Sequence, residues 1–252
     1  MERAKQRAVL ILKSLGLTTE SIPVSDEKRA DLYGWDGTHQ YVVEVKQRFD
    51  DPKERQEATD KMATGEAYDS TEPHSFSNPL DRVMRYGLKQ IDKTPKDDLS
   101  FNLLWLNAEG MDADLKMRRA RNTFYGLVPV GPKWPHKGDV VNCFYFDYST
   151  CRRLPNVHGL VLDDGDGVQL CLNEFSPSLD RFRKSILVER LGAAVVDPVK
   201  LAATGEAIAL KSGIARKNEE RVLAELERET GKRFFAIRLK RHASSYMVPR
   251  GE

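Results

Sequence analysis

The feature of this chain that most constrains its fold is a pair of strand-like segments joined by a tight turn. Residues 29–34 and 39–48 are both predicted to be strands, and the second segment contains the β-branched and aromatic residues typical of β-strands, namely Tyr41, Val42, Val43 and Val45. Asp36 and Gly37 lie between these segments, and an Asp-Gly pair in this position is a strong signal for a β-hairpin. We therefore predict an antiparallel strand pair near the start of the chain.

The register of this hairpin decides which side chains share a face of the sheet. If the Asp-Gly pair lies at the centre of the turn, Asp31 lies opposite Val42, and Arg29 lies opposite Glu44. Because side chains alternate along a strand, Asp31, Glu44 and Lys46 are predicted to project from one face. Asp31 and Glu44 would be diagonal neighbours with backbones about 7–8 Å apart. The opposite, apolar face is predicted to point into a core: Tyr41, Val43 and Val45.

Two carboxylates at this separation suit a divalent cation. Mg²⁺ prefers oxygen ligands, keeps several of its waters, and is commonly held by one or two carboxylates together with a substrate phosphate. A bound cation acidifies a coordinated water and offsets the charge that develops on a phosphate during hydrolysis. Lys46 would stand beside the cation, where a lysine can orient or help to deprotonate the attacking water. This set of residues favours the hydrolysis of phosphodiester bonds.

The order of the predicted elements gives the fold class. A helix is expected over residues 3–15, because Ala4, Ala8 and Leu12 recur at helical spacing. A second clear helix is expected over residues 78–92, with Asn78 as N-cap and Pro79 in its first turn. Helix, two or three strands, helix, strand and helix predict an α/β fold whose mixed sheet is flanked by helices. The other elements predicted in this half are a short strand at 22–24, a helix at 53–62 followed by a loop, a strand at 101–106 and a helix at 113–121.

The second half of the chain has a different character, β-rich and then helical. It is expected either to form an accessory region over residues 126–252 or to continue the core formed by residues 1–125. Its predicted elements are a strand at 140–148, a hairpin over 160–172, a helix from 176, a helix at 215–230 and a strand at 234–239.

The motif around the hairpin resembles that of the PD-(D/E)xK nuclease superfamily, which includes restriction endonucleases and Holliday-junction resolvases. The resemblance rests on Asp31, followed on the next strand by Glu44-Val45-Lys46, and covers roughly residues 1–125. It implies a restriction-endonuclease-like core, Asp31 and Glu44 as ligands of Mg²⁺ or Mn²⁺, and Lys46 as the catalytic lysine.

The sequence departs from the family pattern in three places. Ala30 precedes Asp31 in place of the proline of the motif, a proline that many members also lack. The acid that the family often places on its first helix has only Glu2 and Glu20 as candidates. Gln90 could take the glutamine role of the exonuclease branch, but Thr94 stands where that branch has tyrosine.

A basic stripe on the helix after the motif is the candidate contact for a phosphate backbone. It consists of Arg82, Arg85 and Lys89. An ordinary solvated helix face carries the same pattern, and that interpretation stays open.

Composition is compatible with this function without requiring it. The net charge of +2 and the pI of about 8.3 allow a nucleic acid as partner. No apolar run is long enough for a membrane helix, and the three cysteines have no zinc-site spacing. We expect a cytoplasmic protein whose cysteines are buried thiols.

Two other interpretations remain open at this point. The chain could keep the nuclease-like fold as a catalytically inactive nucleic-acid-binding or scaffold protein. Alternatively, the hairpin could be ordinary surface, with Asp31 and Glu44 merely pairing with Arg29 and Lys46. Under the nuclease interpretation, DNA is a more probable substrate than RNA, and a homodimer or a protein partner is left open.

Overall fold

The computed structural model describes residues 2–23, 27–48, 52–73, 76–110, 112–238 and 241–246. Its helices are α1 (Glu2–Ser14), α2 (Pro52–Ala63), α3 (Asn78–Asp92), α4 (Ala113–Tyr125), α5 (Thr150–Arg153), α6 (Leu179–Phe182), α7 (Ile186–Leu191), α8 (Pro198–Ala203) and α9 (Glu219–Thr230). Its strands are β1 (Thr18–Ser21), β2 (Leu32–Trp35), β3 (Gln40–Arg48), β4 (Tyr68–Pro73), β5 (Phe101–Ala108), β6 (Val128–Pro132), β7 (Val141–Phe144), β8 (Gly159–Asp163), β9 (Val168–Leu172), β10 (Val195–Val196), β11 (Ala207–Ala209), β12 (Phe234–Ala236) and β13 (Arg241–Tyr246).

The predicted hairpin is formed by β2 and β3, within a seven-stranded sheet of order β1-β2-β3-β5-β8-β9-β10. Strand β2 is antiparallel to both β1 and β3, whereas β3, β5 and β8 run parallel to one another. At the other end, β9 is antiparallel to β8 and β10 is parallel to β9. The predicted α/β class with a mixed sheet is therefore confirmed.

The register of the hairpin differs by two residues from the predicted one. Tyr33, not Asp31, lies opposite Val42, and the last pair before the turn is Trp35 with Gln40. The cause is the turn itself, because the Asp36 side chain accepts hydrogen bonds from the backbone N–H groups of residues 38 and 39. This closes a four-residue loop over positions 36–39. A shift of two leaves every side chain on its predicted face.

Two hydrophobic clusters cover the two faces of the main sheet. On one face, Val42 and Leu104 pack with α3 through Met84. On the other face, Val43 packs with α1 through Leu12. Helices therefore flank both faces, as the sequence predicts, and the apolar face of β3 points into a core.

The N-cap of helix α3 lies one residue earlier than predicted. Ser77, rather than Asn78, is the N-cap, and its side-chain oxygen accepts a hydrogen bond from the backbone N–H of Leu80. Pro79 lies in the first turn, where its missing N–H costs nothing. The helix ends at Asp92 as expected.

Two strands in the first half were misplaced or missed. The strand predicted at 22–24 lies earlier, as β1, where it pairs with β2; Pro23 has no N–H for such a ladder, and Val24 lies outside the described residues. The loop predicted after residue 62 contains β4, which pairs with β13. The partners β4 and β13 are far apart in the sequence, so no local pattern indicates their pairing.

Strands from the second half complete the main sheet, since β8, β9 and β10 follow residue 125. The hairpin predicted over 160–172 is present as β8 and β9. A smaller four-stranded sheet, of order β11-β7-β6-β12, lies outside the main sheet. The second half is therefore continuous with the core rather than only attached to it.

Several element bounds in the second half are shorter than predicted. Strand β7 stops at Phe144 because Tyr145 adopts the left-handed backbone conformation, with φ of 62°. Helix α9 begins only after Asn218, whose side chain caps it, and ends at Gly231 as predicted. The last predicted strand is reduced to β12.

Cys143, Cys151 and Cys171 are buried free thiols, as expected. Within the described residues, no helix combines the length and the apolar composition that crossing a bilayer requires.

Candidate metal centre

Glu44 is a completely buried carboxylate in the middle of β3. Its side chain is 0% exposed, although a carboxylate in a strand would ordinarily face solvent. Burial, and then the negative charge of Asp31, raises the pKa of Glu44 to about 7, while Lys46 lowers it. Near neutral pH, this carboxyl group therefore exists in both protonation states.

Asp31 lies immediately before β2 and close to Glu44. One oxygen, Oδ2, accepts a hydrogen bond of 2.8 Å from the backbone N–H of Val45, so the carboxyl group of Asp31 lies against β3. The other oxygen, Oδ1, is 2.5 Å from the ammonium nitrogen of Lys5 in α1. The hairpin and the first helix together fix the position of Asp31.

Lys46 joins this carboxylate pair to helix α3. Its ammonium group forms an ion pair with Glu44 and donates a hydrogen bond of 2.6 Å to Oε1 of Gln90. The amide nitrogen of Gln90 in turn donates to the carbonyl oxygen of Arg29, at 3.2 Å. Gln90, an accessory candidate from the sequence, therefore lies at the site, where it orients Lys46.

Thr94 ties the end of α3 to the segment before Asp31. Its hydroxyl accepts a hydrogen bond from the backbone N–H of Ala30 and donates one to the carbonyl oxygen of Gln90. Thr94 thus joins α3 to Ala30 and supports the segment that leads to Asp31.

The other accessory candidates are not at the site. Glu2 and Glu20 are exposed, and no described contact joins either one to Asp31 or Glu44. The first helix supplies a cation, Lys5, where an acid was expected. In the sequence, Lys5 lies next to the apolar residues that α1 buries. The local sequence pattern does not indicate which end of which strand this helix contacts.

A glycine of α3 makes room for the buried carboxylate. A Cβ atom at Gly87 would lie 3.3 Å from Cγ of Glu44 and 2.5 Å from Cδ2 of Leu104. A larger residue at position 87 would therefore require Leu104, or α3 itself, to shift beside Glu44.

The carboxylate of Glu44 has unused capacity to bind a cation. Lys46 forms an ion pair with Oε1, yet neither oxygen of Glu44 accepts a hydrogen bond of regular geometry, and both are buried. A buried acceptor without such bonds is costly, and a cation between Glu44 and Asp31 would satisfy it. In the described part of the chain, no group of three or more His, Cys, Asp or Glu side chains could hold a metal ion. Asp31 and Glu44 are the two carboxylates brought together here.

The surface-hairpin interpretation is wrong for these acids. Asp31 pairs with Lys5 rather than Arg29, whose described ion pair is with Glu27. Glu44 does pair with Lys46, but as a buried group rather than an exposed one.

The predicted basic stripe is exposed on α3, but its members differ in surroundings. Arg85 donates to the buried carboxylate of Asp81, which also binds Thr150 and Arg153. Arg82 and Lys89 are exposed, and the ammonium of Lys89 lies 5.4 Å from the ring centre of Tyr86. Residues four apart are neighbours on a helix, so Arg82, Tyr86 and Gln90 form a row that leads to Lys46.

Comparisons with models of known protein families, with curated proteins and with solved structures find no match to this chain.

Proposed function

We propose that this protein is a metal-dependent nuclease that hydrolyses phosphodiester bonds of DNA, with RNA as the less favoured substrate. The observation that carries the proposal is the buried carboxylate of Glu44, which faces Asp31 and lies beside Lys46 without regular hydrogen bonds of its own. A structural ion pair has no need to bring a second carboxylate to the same place, because the two negative charges repel each other.

The residues present fit Mg²⁺ or Mn²⁺ bound through oxygen. Asp31 and Glu44 would hold the cation, with waters and a substrate phosphate completing its shell. The bound cation would lower the pKa of a coordinated water and offset charge on the phosphate. The absence of a third carboxylate among the described residues argues for a site that is completed by substrate rather than by protein.

Lys46 and Gln90 would act on the attacking water. The ammonium of Lys46, held by Gln90 at 2.6 Å, is placed to orient that water and to stabilise negative charge on the phosphate. The water oxygen forms a bond to phosphorus and gives up one proton to solvent, the bond from phosphorus to the leaving oxygen breaks, and the leaving oxygen takes up one proton from solvent. Arg82 and Lys89 would hold the flanking phosphates.

The fold proposed for this chain is restriction-endonuclease-like. The supporting features are a helix before the hairpin, the acid pair on β2 and β3, the parallel strand β5 next to β3, and α3 packed over the acids. The site lies where these elements meet.

The test is a cleavage assay with plasmid, single-stranded DNA and RNA in Mg²⁺ or Mn²⁺. Wild-type protein is expected to cut, and EDTA to abolish cutting. Glu44→Gln should reduce the rate by at least about a hundredfold, because the amide cannot supply the charge that holds the cation. Since burial already favours the uncharged form of this side chain, the variant is expected to fold.

Glu220→Gln is the matched control, because Glu220 is exposed in the first turn of α9. It should cut at the wild-type rate. Cutting that survives Glu44→Gln, or wild-type protein that binds nucleic acid but never cuts it, would contradict the proposal.

A further inference from the structure

We propose that Lys5 is a second phosphate-binding lysine of this site, whose ammonium group passes from Asp31 to the substrate phosphate when a divalent cation takes that carboxylate. The proposal rests on the proposed nuclease function. It assigns to α1 a direct part in the reaction, which nothing in the sequence pattern indicates.

The contact between Lys5 and Asp31 is a single exchangeable one. The ammonium nitrogen lies 2.5 Å from Oδ1, the only oxygen of Asp31 that does not bind the backbone of β3. That same oxygen is the one available to a cation shared with Glu44. A cation and an ammonium group cannot both occupy one short contact on it, so they compete.

A second ion pair of α1, between Arg7 and Asp163, serves as a structural comparison. Nε of Arg7 lies within 3.0 Å of both oxygens of Asp163, whose carboxylate also accepts hydrogen bonds from Trp105 and Gly165. Asp163 is held from several sides, and no place on it is left for a ligand. Lys5 differs because it is joined to one oxygen by one flexible side chain.

In each of the two ion pairs, the lysine side chain is more exposed to solvent than the carboxylate side chain. The side chains of Lys5 and Lys46 are 23% and 25% exposed, whereas those of Asp31 and Glu44 are 12% and 0% exposed. In each ion pair the ammonium group is therefore nearer to solvent, from which a substrate phosphate would arrive, than the carboxylate that it contacts. Lys5 and Lys46 would flank the phosphate, each beside one acid.

The charges balance only when both lysines take part. Two carboxylates and a divalent cation are neutral together, and the transition state of phosphodiester hydrolysis carries about two negative charges. Two ammonium groups offset those charges, whereas Lys46 alone would leave one unmatched. Preorganised positive charge of this kind is commonly the largest contribution to catalysis.

The test compares Lys5→Met with Lys13→Met, an exposed lysine in the last turn of the same helix. Mn²⁺ affinity is measured by calorimetry, and single-turnover cleavage is measured at saturating Mn²⁺. Lys5→Met should bind Mn²⁺ about tenfold more tightly, because the competitor for Asp31 is gone. Its cleavage rate should nevertheless fall by about a hundredfold. Lys13→Met should match wild type in both measurements.

Lys5→Arg keeps the positive charge at this position and is the control for a general loss of folding caused by substitution of Lys5. It should bind Mn²⁺ as wild type does and retain cleavage within about tenfold, since arginine brings the same single positive charge to Asp31 and the phosphate. Unchanged or weaker Mn²⁺ binding by Lys5→Met would overturn the proposal, and so would tighter binding with undiminished cleavage. If the wild-type protein binds Mn²⁺ and cuts nothing, it is the nuclease function that fails, and this proposal falls with it.

Discussion

Glu44 is the central residue of the proposed site. Burying a carboxylate destabilises the folded state unless the carboxylate binds a partner there. A buried carboxylate loses its hydration, and Lys46 only partly compensates for that loss, so the pKa rises to about 7. Natural sequences rarely bury a charged group that could be replaced by an apolar one. A role in binding a cation would explain why the chain keeps a carboxylate at this buried position although it lowers the stability of the folded state.

Replacing Glu44 by glutamine should therefore stabilise the protein above neutral pH. The folded state raises the pKa of Glu44 from 4.5 to about 7, so the fold favours the protonated form. Wild-type stability should fall as pH rises from about 4.5 to 7, whereas Glu44→Gln carries no such loss. At pH 8 the variant should be more stable by roughly 3 kcal/mol, and the difference should shrink toward pH 5.

Urea unfolding in EDTA at pH 5 and pH 8 measures this difference. An equal difference at both pH values, or a less stable variant at pH 8, would show that burial does not dominate the titration of Glu44.

The grouping of residues at the site was partly predictable from sequence. Asp31, Glu44 and Lys46 could be placed on one face because strand side chains alternate with a period of two. Lys5 and Gly87 could not be placed, because their contacts with Asp31 and Glu44 depend on how helices dock on the sheet. Gln90 was found only through the family resemblance, not through any local pattern.

At the scale of elements, the hairpin shows why a wrong register still gave the correct face. A turn does lie at Asp36 and Gly37, as predicted, but the strand pairing beside it differs. The Asp36 side chain organises a four-residue loop over positions 36–39, so that Trp35 pairs with Gln40. The error of two residues moved Asp31 along the strand without turning it over. An error of one residue would have put Asp31 and Glu44 on opposite faces.

Helix α3 can approach β3 only because position 87 is glycine. Gly87→Ala should destabilise the protein by about 1–3 kcal/mol, because the added methyl overlaps Leu104, although alanine is the better helix former. Gly213→Ala is the control, since nothing lies within 4 Å of a Cβ atom there. Denaturant midpoints compare the two variants. Equal stability of Gly87→Ala and wild type would mean that α3 packs less closely than described.

The two sides of α3 should also contribute unequally to nucleic-acid binding. Arg82→Ala should weaken binding of a labelled oligonucleotide about tenfold at low salt and reduce the slope of log affinity against log salt by about one. Arg85→Ala should have little effect, because Asp81 already binds the Arg85 guanidinium. Fluorescence anisotropy in EDTA separates the two variants. A larger effect from Arg85→Ala would move the binding surface to the side of α5.

At the scale of the whole molecule, the sheet joins the two halves of the chain. Strand β5 is buried along its entire length between β3 and β8, and β8 comes from the second half. The sequence predicted β3, β5, β8 and β9 of the main sheet, but neither β10 nor the order of the strands. Pairing between distant strands leaves no local periodicity, so the extent of the sheet could not be read from pattern.

A fragment of residues 1–125 should therefore not fold cooperatively. Without β8, strand β5 becomes an open edge, and Trp105 loses its cross-strand partner Val161 and the part of its hydrophobic cluster that includes Leu170. Near-ultraviolet circular dichroism and urea unfolding would show no cooperative transition. A fragment that unfolds cooperatively and binds Mn²⁺ would show that the first half is an independent domain.

The central claim, that Glu44 and Asp31 bind a divalent cation, is tested most directly by titrating Mn²⁺ into the protein in buffers of different ionisation enthalpy. Because the pKa of Glu44 is about 7, binding should release most of one proton at pH 6.5 and almost none at pH 8.5. We predict one cation per chain with that proton release, and loss of binding in Glu44→Gln. No binding by the wild-type protein, or equal binding by Glu44→Gln, would contradict the account.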